Sequence, residues 1–371
     1  MTLRVGIVGC NPDYGWGSGV HRRVIESLPG FTLHGVCTTR EESSRKASRE
    51  FGAPLWTTSH EDLCAQAEID LIAICVKAPF HYEIAKAALL AGKHVYCEWP
   101  LATTAVQAAE LAALAAASQA RTVIGLHLRG APVMRQAARM IAEGYVGRVY
   151  SVSLHARLFG PVMRAMALRS GGTTLLSIYG GHLLDALDHY FGGIVEIAMR
   201  GAVHLPPFDE TGEPIPRDAF DHLQFHGVLD NGALFDVDLA GVSMTGLGCT
   251  WRIEGSDGVL VLSTRDPFLP SIEALELRGA RGGAALQAIP PDLSLDCRAI
   301  PPQPDRYPAY PGVFAAREAL GAIGNLYLEL GEAIATGRQA EPGFDRAATI
   351  QQMLERLEST DTSSQHLAGV A

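Results

Sequence analysis

Leu3–Leu28, LRVGIVGCNPDYGWGSGVHRRVIESL, sets an apolar run, a glycine-rich turn and an amphipathic run in immediate succession. Leu3–Val8 has the length and unbroken apolar character of a strand buried on both faces of a parallel sheet. Gly19–Leu28 carries helical spacing. A dinucleotide-binding fold begins in this way, because glycines bend the chain and let its backbone approach a pyrophosphate at the following helix N-terminus. A strict GxGxxG is absent. Asn11 stands where the second glycine would be, and the turn runs on through Gly9, Gly15, Trp16, Gly17 and Gly19. The glycines alone also suit a long surface turn, so the rest of the chain has to decide.

Four more apolar runs follow, at Leu33–Thr38, Leu71–Val76, Val95–Glu98 and Thr122–Leu126, alternating with helical spacing at Glu41–Phe51, His81–Ala91 and Ala105–Ser118. Such alternation builds right-handed strand–helix–strand units and a doubly wound parallel sheet. Pro132–Gly144 predicts one further helix. From Val149 the pattern changes to successive strands at Val149–Arg157, Val195–Val203, Phe220–Leu229, Leu234–Ala240, Cys249–Glu254 and Gly258–Ser263, with one helix at Gly181–Phe191. Asp230-Asn231-Gly232 predicts a type I′ hairpin turn. Residues 264–312 read as a long surface loop, and Val313–Thr336 and Phe344–Leu357 as closing helices. The expected fold is α/β: a Rossmann domain over 1–130, then an α+β domain with a large, mostly antiparallel sheet over 131–358. A mobile tail over 359–371 would follow.

At 371 residues and 47% hydrophobic content the chain is long enough for two packed domains. A net charge of −10 without a basic run argues against direct nucleic-acid binding. No apolar run nears the roughly 20 residues that span a bilayer. Seven cysteines stand singly, with Cys10, Cys37, Cys75 and Cys97 in or beside apolar strands, which suits reduced core thiols and no metal site. With a strand starting directly after Met1, the expectation is a cytoplasmic protein. At the end of the second strand, Thr38, Thr39 and Arg40, with Arg45 a turn later, stand where an acid would select NAD. Hydroxyls and a guanidinium suit a 2′-phosphate, so NADP is favoured over NAD, unless Arg40 merely opens a solvated helix.

Ala91–Thr104, AGKHVYCEWPLATT, resembles the segment ending the fourth strand of the Gfo/Idh/MocA oxidoreductases. In that family the strand runs into Glu-Lys-Pro, and the lysine serves substrate binding and proton transfer beside the nicotinamide. Here the tripeptide is Glu98-Trp99-Pro100. Ala78-Pro79-Phe80-His81 is similar to the family's loop after the third strand, and Gly180-Gly181-His182-Leu-Leu-Asp185 to its Gly-x-His-x-x-Asp helix. The long turn with Gly15-Trp16 and His21, Glu98-Trp99, Glu143–Gly147 and Asp221-His222 resemble one branch, the fungal galactose-pathway repressor and its bacterial relatives. That branch includes a non-enzyme.

The resemblance implies a cofactor site at Gly9, Asn11, Gly15, Trp16, Lys77, Pro79, His81, Glu98 and Trp99. Trp99 would also be a stacking platform for substrate, but its indole does not titrate usefully. The proton would fall to His182, oriented by Asp185, or to Tyr179, with His189 a remoter base. The acid or amide that precedes the histidine by four residues in the family is replaced by Ile178, or by Ser177 if the turn holds an extra residue. His127, Arg129 and Arg157, with Arg164, are candidate substrate contacts. Each has a plainer reading as a packed, capped or solvated side chain. Three activities fit: an NAD(P)-dependent oxidoreductase of a sugar, cyclitol or similar small molecule; an NAD(P)-binding sensor without turnover; or a lyase or hydrolase using NAD transiently. The resemblance also implies a homodimer or homotetramer.

Overall fold

The computed structural model describes residues 2–159, 166–206, 213–243, 248–264, 275–295 and 317–360. The chain forms two compact units. The first comprises Met1–Gln136, Ser271–Ala274 and Asp292–Gln351, and the second Ala137–Pro270, Leu275–Pro291 and Gln352–Ala371.

The first unit is built on six parallel strands: β1 (Leu3–Val8), β2 (Phe31–Cys37), β3 (Leu55–Thr57), β4 (Leu71–Ile74), β5 (His94–Glu98) and β6 (Thr122–Gly125). Their order is β3-β2-β1-β4-β5-β6, so the direction of winding reverses between β1 and β4. Ligands of open α/β sheets bind beside that reversal, at the carboxyl ends of the strands. The helices are α1 (Arg22–Ser27), α2 (Glu41–Phe51), α3 (His60–Ala65), α4 (His81–Leu90) and α5 (Ala105–Ala117). Strand β3 and helix α3 escape the sequence reading. The strand has only three residues and half-exposes Trp56, too little to show a period. The helix did carry a signal, since the Ser59 side chain accepts from the Asp62 amide as an N-cap.

The second unit begins within α6 (Pro132–Ala142) and holds α7 (Gly181–Phe191) and eight strands. These are β7 (Val149–Phe159), β8 (Ile194–Ala202), β9 (His222–Leu229), β10 (Leu234–Ser243), β11 (Gly248–Gly255), β12 (Gly258–Thr264), β13 (Glu276–Arg281) and β14 (Gln287–Ile289). The order is β14-β13-β12-β11-β7-β10-β9-β8, antiparallel except where β10 runs parallel to β7. Alternation is the organising pattern. Leu154, Phe225, Val237 and Trp251 are buried, while His155, Gln224, Asp236 and Arg252 face out. The buried face takes the apolar stripe of α7, with Phe191 against Trp251 at 5.7 Å between ring centroids.

Three expectations change. The stretch 264–312 contains β13 and β14, whose polar, glycine-bearing sequences hide their strand character. The β9–β10 turn is not type I′, because among the described residues none other than glycine has a positive φ. Instead the Gly232 amide donates to Leu229 O at 2.9 Å and Gly232 takes φ +83°, a type I turn with a glycine bulge. The domain boundary also moves. Helix α8 (Arg317–Thr336) packs Leu320, Ile323, Tyr327 and Leu330 into the same core as Val5, Val24 and Phe31, so it completes the first unit. One face of a parallel sheet must be covered, and the chain returns after the second sheet to cover it. Helix α9 (Phe344–Thr360) spans the division between units. The tail beyond Thr360, residues 313–316 and Arg164 lie outside the described residues.

If α8 is core to the Rossmann unit, Ile323→Ala should cost about 2–5 kcal/mol, the usual cost of emptying a fully buried isoleucine. Chemical denaturation followed by circular dichroism measures it. A loss under about 0.5 kcal/mol, typical of surface changes, would separate α8 from that core.

Candidate functional site

At the end of β1 the backbone is packed too tightly for side chains. A Cβ on Gly9 would stand 2.6 Å from Cys75 O, and one on Gly17 2.6 Å from Gly9 O. The ends of β1 and β4 and the start of the first helix therefore meet main chain to main chain. Gly15 takes φ +104° with open space where its Cβ would be. The chain then enters a π-helical turn, Gly17–His21, which runs into α1 with no acidic residue in its first turn. A glycine cradle opening onto a helix start that bears no negative charge fits a pyrophosphate. Asn11 serves the turn locally, its Oδ1 accepting from the Asp13 amide at 2.9 Å. Asp13 in turn pairs with Lys46 of α2.

Around the end of β2, the Thr38 hydroxyl donates to Arg40 O at 3.0 Å and shares a 2.7 Å hydrogen bond with Ser43. Its role is to shape the turn into α2. Thr39 and Arg40 have exposed side chains. Arg45 is paired with Glu41 and lies over the Trp56 ring, 4.7 Å from its centroid.

Past β4, Lys77 and Pro79 are exposed, but His81 is buried. Its Nδ1 lies 2.6 Å from Pro100 O and its Nε2 2.9 Å from Val76 O. Burial pushes its pKa down, while the two carbonyls act the other way. Predicted as a cofactor contact, His81 instead fastens the Trp99–Pro100 segment to the end of β4.

A buried polar cluster surrounds Glu98, the last residue of β5. Its Oε1 receives His21 Nε2 at 2.9 Å, and its Oε2 lies 2.9 Å from His127 Nε2. On the far side, His21 Nδ1 lies 2.8 Å from the Tyr327 hydroxyl of α8. Burial alone would raise the Glu98 pKa, but His127 and then His21 more than offset it, and the carboxyl is held well below its usual range. Burial pushes the pKa of the Tyr327 phenol well up, so it stays protonated. The His127 ring, in a short turn after β6, stacks on Trp16 at 5.8 Å. Gly125 makes the room: a Cβ there would sit 2.8 Å from Glu98 Oε1. Trp99 itself is buried. Arg129 leaves this cluster and lines a cavity of about 310 Å³ with Asn325, Glu329 and Glu341.

In the second unit, Tyr179, His182 and Asp185 are all buried. They lie on a continuous run in which a π-helical turn, Leu176–Gly180, leads into α7. A π turn holds one more residue than an α turn. With that extra residue, Ser177 rather than Ile178 stands one turn ahead of His182, and its Oγ accepts from the Thr174 amide at 2.8 Å. Arg157, expected as a substrate contact, is committed elsewhere. Both its terminal nitrogens bind Asp238, at 3.0 and 2.7 Å, and Asp238 also receives His222 at 2.8 Å. His21 and Tyr327 were missed as site residues. They lie 306 positions apart, and no local pattern links them.

A depressed carboxyl pKa means that folding favours the ionised form. Glu98 therefore contributes stability fully above the unfolded carboxyl value of about 4.3 and loses it as pH falls through the folded value. Glu98→Gln should cost about 2 kcal/mol at pH 7, and the gap to the parent should shrink below about pH 4. Urea titrations at pH 7 and pH 3.5 measure this; a gap that widens in acid contradicts the assignment.

Residues 3–126 match the oxidoreductase family with NAD-binding Rossmann fold, and residues 132–264 match the Gal80p C-terminal domain. The chain is 30% identical over 215 residues to the dehydrogenase aclE of Aspergillus oryzae, covering 55% of this chain and 59% of that one. It is 27% identical over 254 residues to the galactose/lactose metabolism regulatory protein GAL80 of Saccharomyces cerevisiae, covering 62% and 58%. The chain thus spans less than two thirds of the length of these relatives. Levoglucosan dehydrogenase in complex with NADH and levoglucosan has the same fold, with a TM-score of 0.80 over 97% of each chain at 19% identity. Over residues 3–126 the chain thus matches the Gfo/Idh/MocA oxidoreductase family through its NAD-binding Rossmann fold, and over residues 132–264 it is similar to the C-terminal domain of Gal80p.

Proposed function

We propose that the protein is an NAD(P)-dependent oxidoreductase acting on a hydroxyl or carbonyl of a sugar, cyclitol or similar small molecule. The observation that carries this reading is the glycine cradle between β1 and β4, on the same sheet edge as a buried carboxylate bracketed by two histidines. A bound nicotinamide supplies the hydride acceptor or donor. The chain's own part is to hold it at Gly9, Gly15 and the start of the π turn, and to manage one proton. Trp99 does not do that, since an indole N–H donates a hydrogen bond and does not titrate. The proton falls to an imidazole. We propose a cytoplasmic homodimer or homotetramer, in keeping with the buried cysteines among the described residues and with the habits of the family it resembles.

Exposed Thr39 and Arg40 at the end of β2, with no carboxylate at that strand end, favour NADP over NAD. Titration by the fluorescence of reduced cofactor should give NADPH about tenfold tighter binding than NADH. Arg40→Ala should remove that preference and leave NADH within about twofold. Equal affinities in the parent protein would reverse the cofactor assignment.

Turnover decides the wider reading. With each cofactor and a panel of sugars and cyclitols, the protein should reduce or oxidise at least one. A second reading, an NAD(P)-binding sensor, draws on Trp99 in the lysine's place and on the Gal80p-type C-terminal domain. Tight cofactor binding with no turnover across the panel would favour that sensor.

A further inference from the structure

We propose that the second unit carries a zinc-binding site on the polar face of its sheet, made by His204 Nε2 and His222 Nδ1, with Asp238 positioning the second imidazole. The site stands whether or not the oxidoreductase reading does.

Asp238 of β10 is itself held in place. Both terminal nitrogens of Arg157 bind its carboxylate, at 3.0 and 2.7 Å, and the carboxylate accepts from His222 Nε2 at 2.8 Å. An ionised carboxylate only accepts, so the neutral His222 ring carries its proton on Nε2 and its lone pair on Nδ1. Metal-ligating histidines are oriented in this way, the second ring nitrogen donating to a carboxylate. His204 is placed independently, just after β8. The buried Asp221 carboxylate accepts from the His204 amide at 2.9 and 3.0 Å and from the Leu205 amide at 2.8 Å, which fixes the backbone there.

The two ring nitrogens, His222 Nδ1 and His204 Nε2, stand 3.4 Å apart. That is long for a hydrogen bond, since N–H donors usually lie about 2.9–3.0 Å from their acceptors. It is the spacing of two imidazoles on one tetrahedral ion: bonds of about 2.0–2.1 Å at the tetrahedral angle set their nitrogens about 3.3–3.4 Å apart. The rings are tilted by 53° with centroids 5.5 Å apart, so they do not stack. His204 is exposed and the His222 side chain is 27% exposed, which gives a hydrated ion access. Imidazole nitrogens at tetrahedral spacing suit zinc.

Among the described residues no group of three His, Cys, Asp or Glu is placed to hold a metal. The remaining positions therefore go to water, the open coordination of an ion that exchanges or takes a further ligand. On binding, zinc takes the place of the proton that His204 Nε2 shares with His222, and His204 carries that proton on Nδ1 instead. The pair is 18 positions apart in sequence, where no metal-ligand spacing shows it.

Full-length protein stripped with a chelator and titrated with zinc chloride by calorimetry should bind one ion per chain, with Kd of about 100 µM or tighter. His204→Gln and His222→Gln should each weaken binding at least tenfold. His204→Gln alters an exposed side chain, and an unchanged thermal midpoint without zinc checks its fold. Asp238→Asn leaves both ligands in place and should weaken binding about tenfold or more. In zinc-free protein labelled with nitrogen-15 in its histidines, His222, assigned through His222→Gln, should show the Nε2–H tautomer, and zinc should shift its Nδ1 resonance. Binding weaker than about 100 µM, or equal affinity in both histidine variants (an adventitious ion only), would overturn the proposal. So would the Nδ1–H tautomer at His222.

Discussion

A carboxylate buried at the end of a strand has to be compensated, and the way Glu98 is compensated organises the whole first unit. Leaving a charge unpaired in the interior costs several kcal/mol, so each partner that reaches it is held in place by the demand. His21 comes from the π-helical turn before α1, His127 from the turn after β6, and behind His21 stands Tyr327 of α8. Four segments far apart in sequence thus meet at one point. Tyr327 also stacks on Tyr96 of β5 at 4.6 Å between centroids and packs edge-on against Phe31. The polar contact and the apolar core are therefore one construction. Helix α8 covers the sheet, and the same residue completes the network at its edge.

Both units place a π-helical turn ahead of a helix that carries site residues, Gly17–His21 before α1 and Leu176–Gly180 before α7. The extra residue of a π turn costs good helical hydrogen bonding and persists where function or packing favours it. In the first unit the turn brings His21 inward while Gly17 rests against Gly9 O. In the second it shifts the spacing ahead of His182 by one, so that Ser177 rather than Ile178 holds the earlier position.

The parallel sheet was legible because its strands are apolar on both faces and separated by amphipathic runs; the ends of β1 and α2 fall where the patterns end. The second sheet was legible up to β12, where alternation is strong, and lost at β13 and β14, where Arg, Gly and Gln interrupt it. Side-chain roles were harder. Arg157 and Thr38 looked like ligand groups because their types are those of ligand groups, yet each is engaged by a neighbour that only the fold brings close: Asp238 across β7 and β10, and Ser43 across a turn. Arg129 looked like a companion to His127 from its position two residues on, but a short helical turn sends it to a different cavity. Sequence types name what a residue is able to bind. Burial and neighbours decide whether it is still available.

The substitution of tryptophan for lysine at position 99 has a consequence for charge as well as for chemistry. A lysine there would bring a permanent cation next in sequence to Glu98. Tryptophan brings none, so the Glu98 carboxyl is held low by His127 and then His21, through charge as well as hydrogen bonds. The glutamate at the strand end draws its compensation from two histidines that only the fold brings to it, and not from its neighbour in sequence.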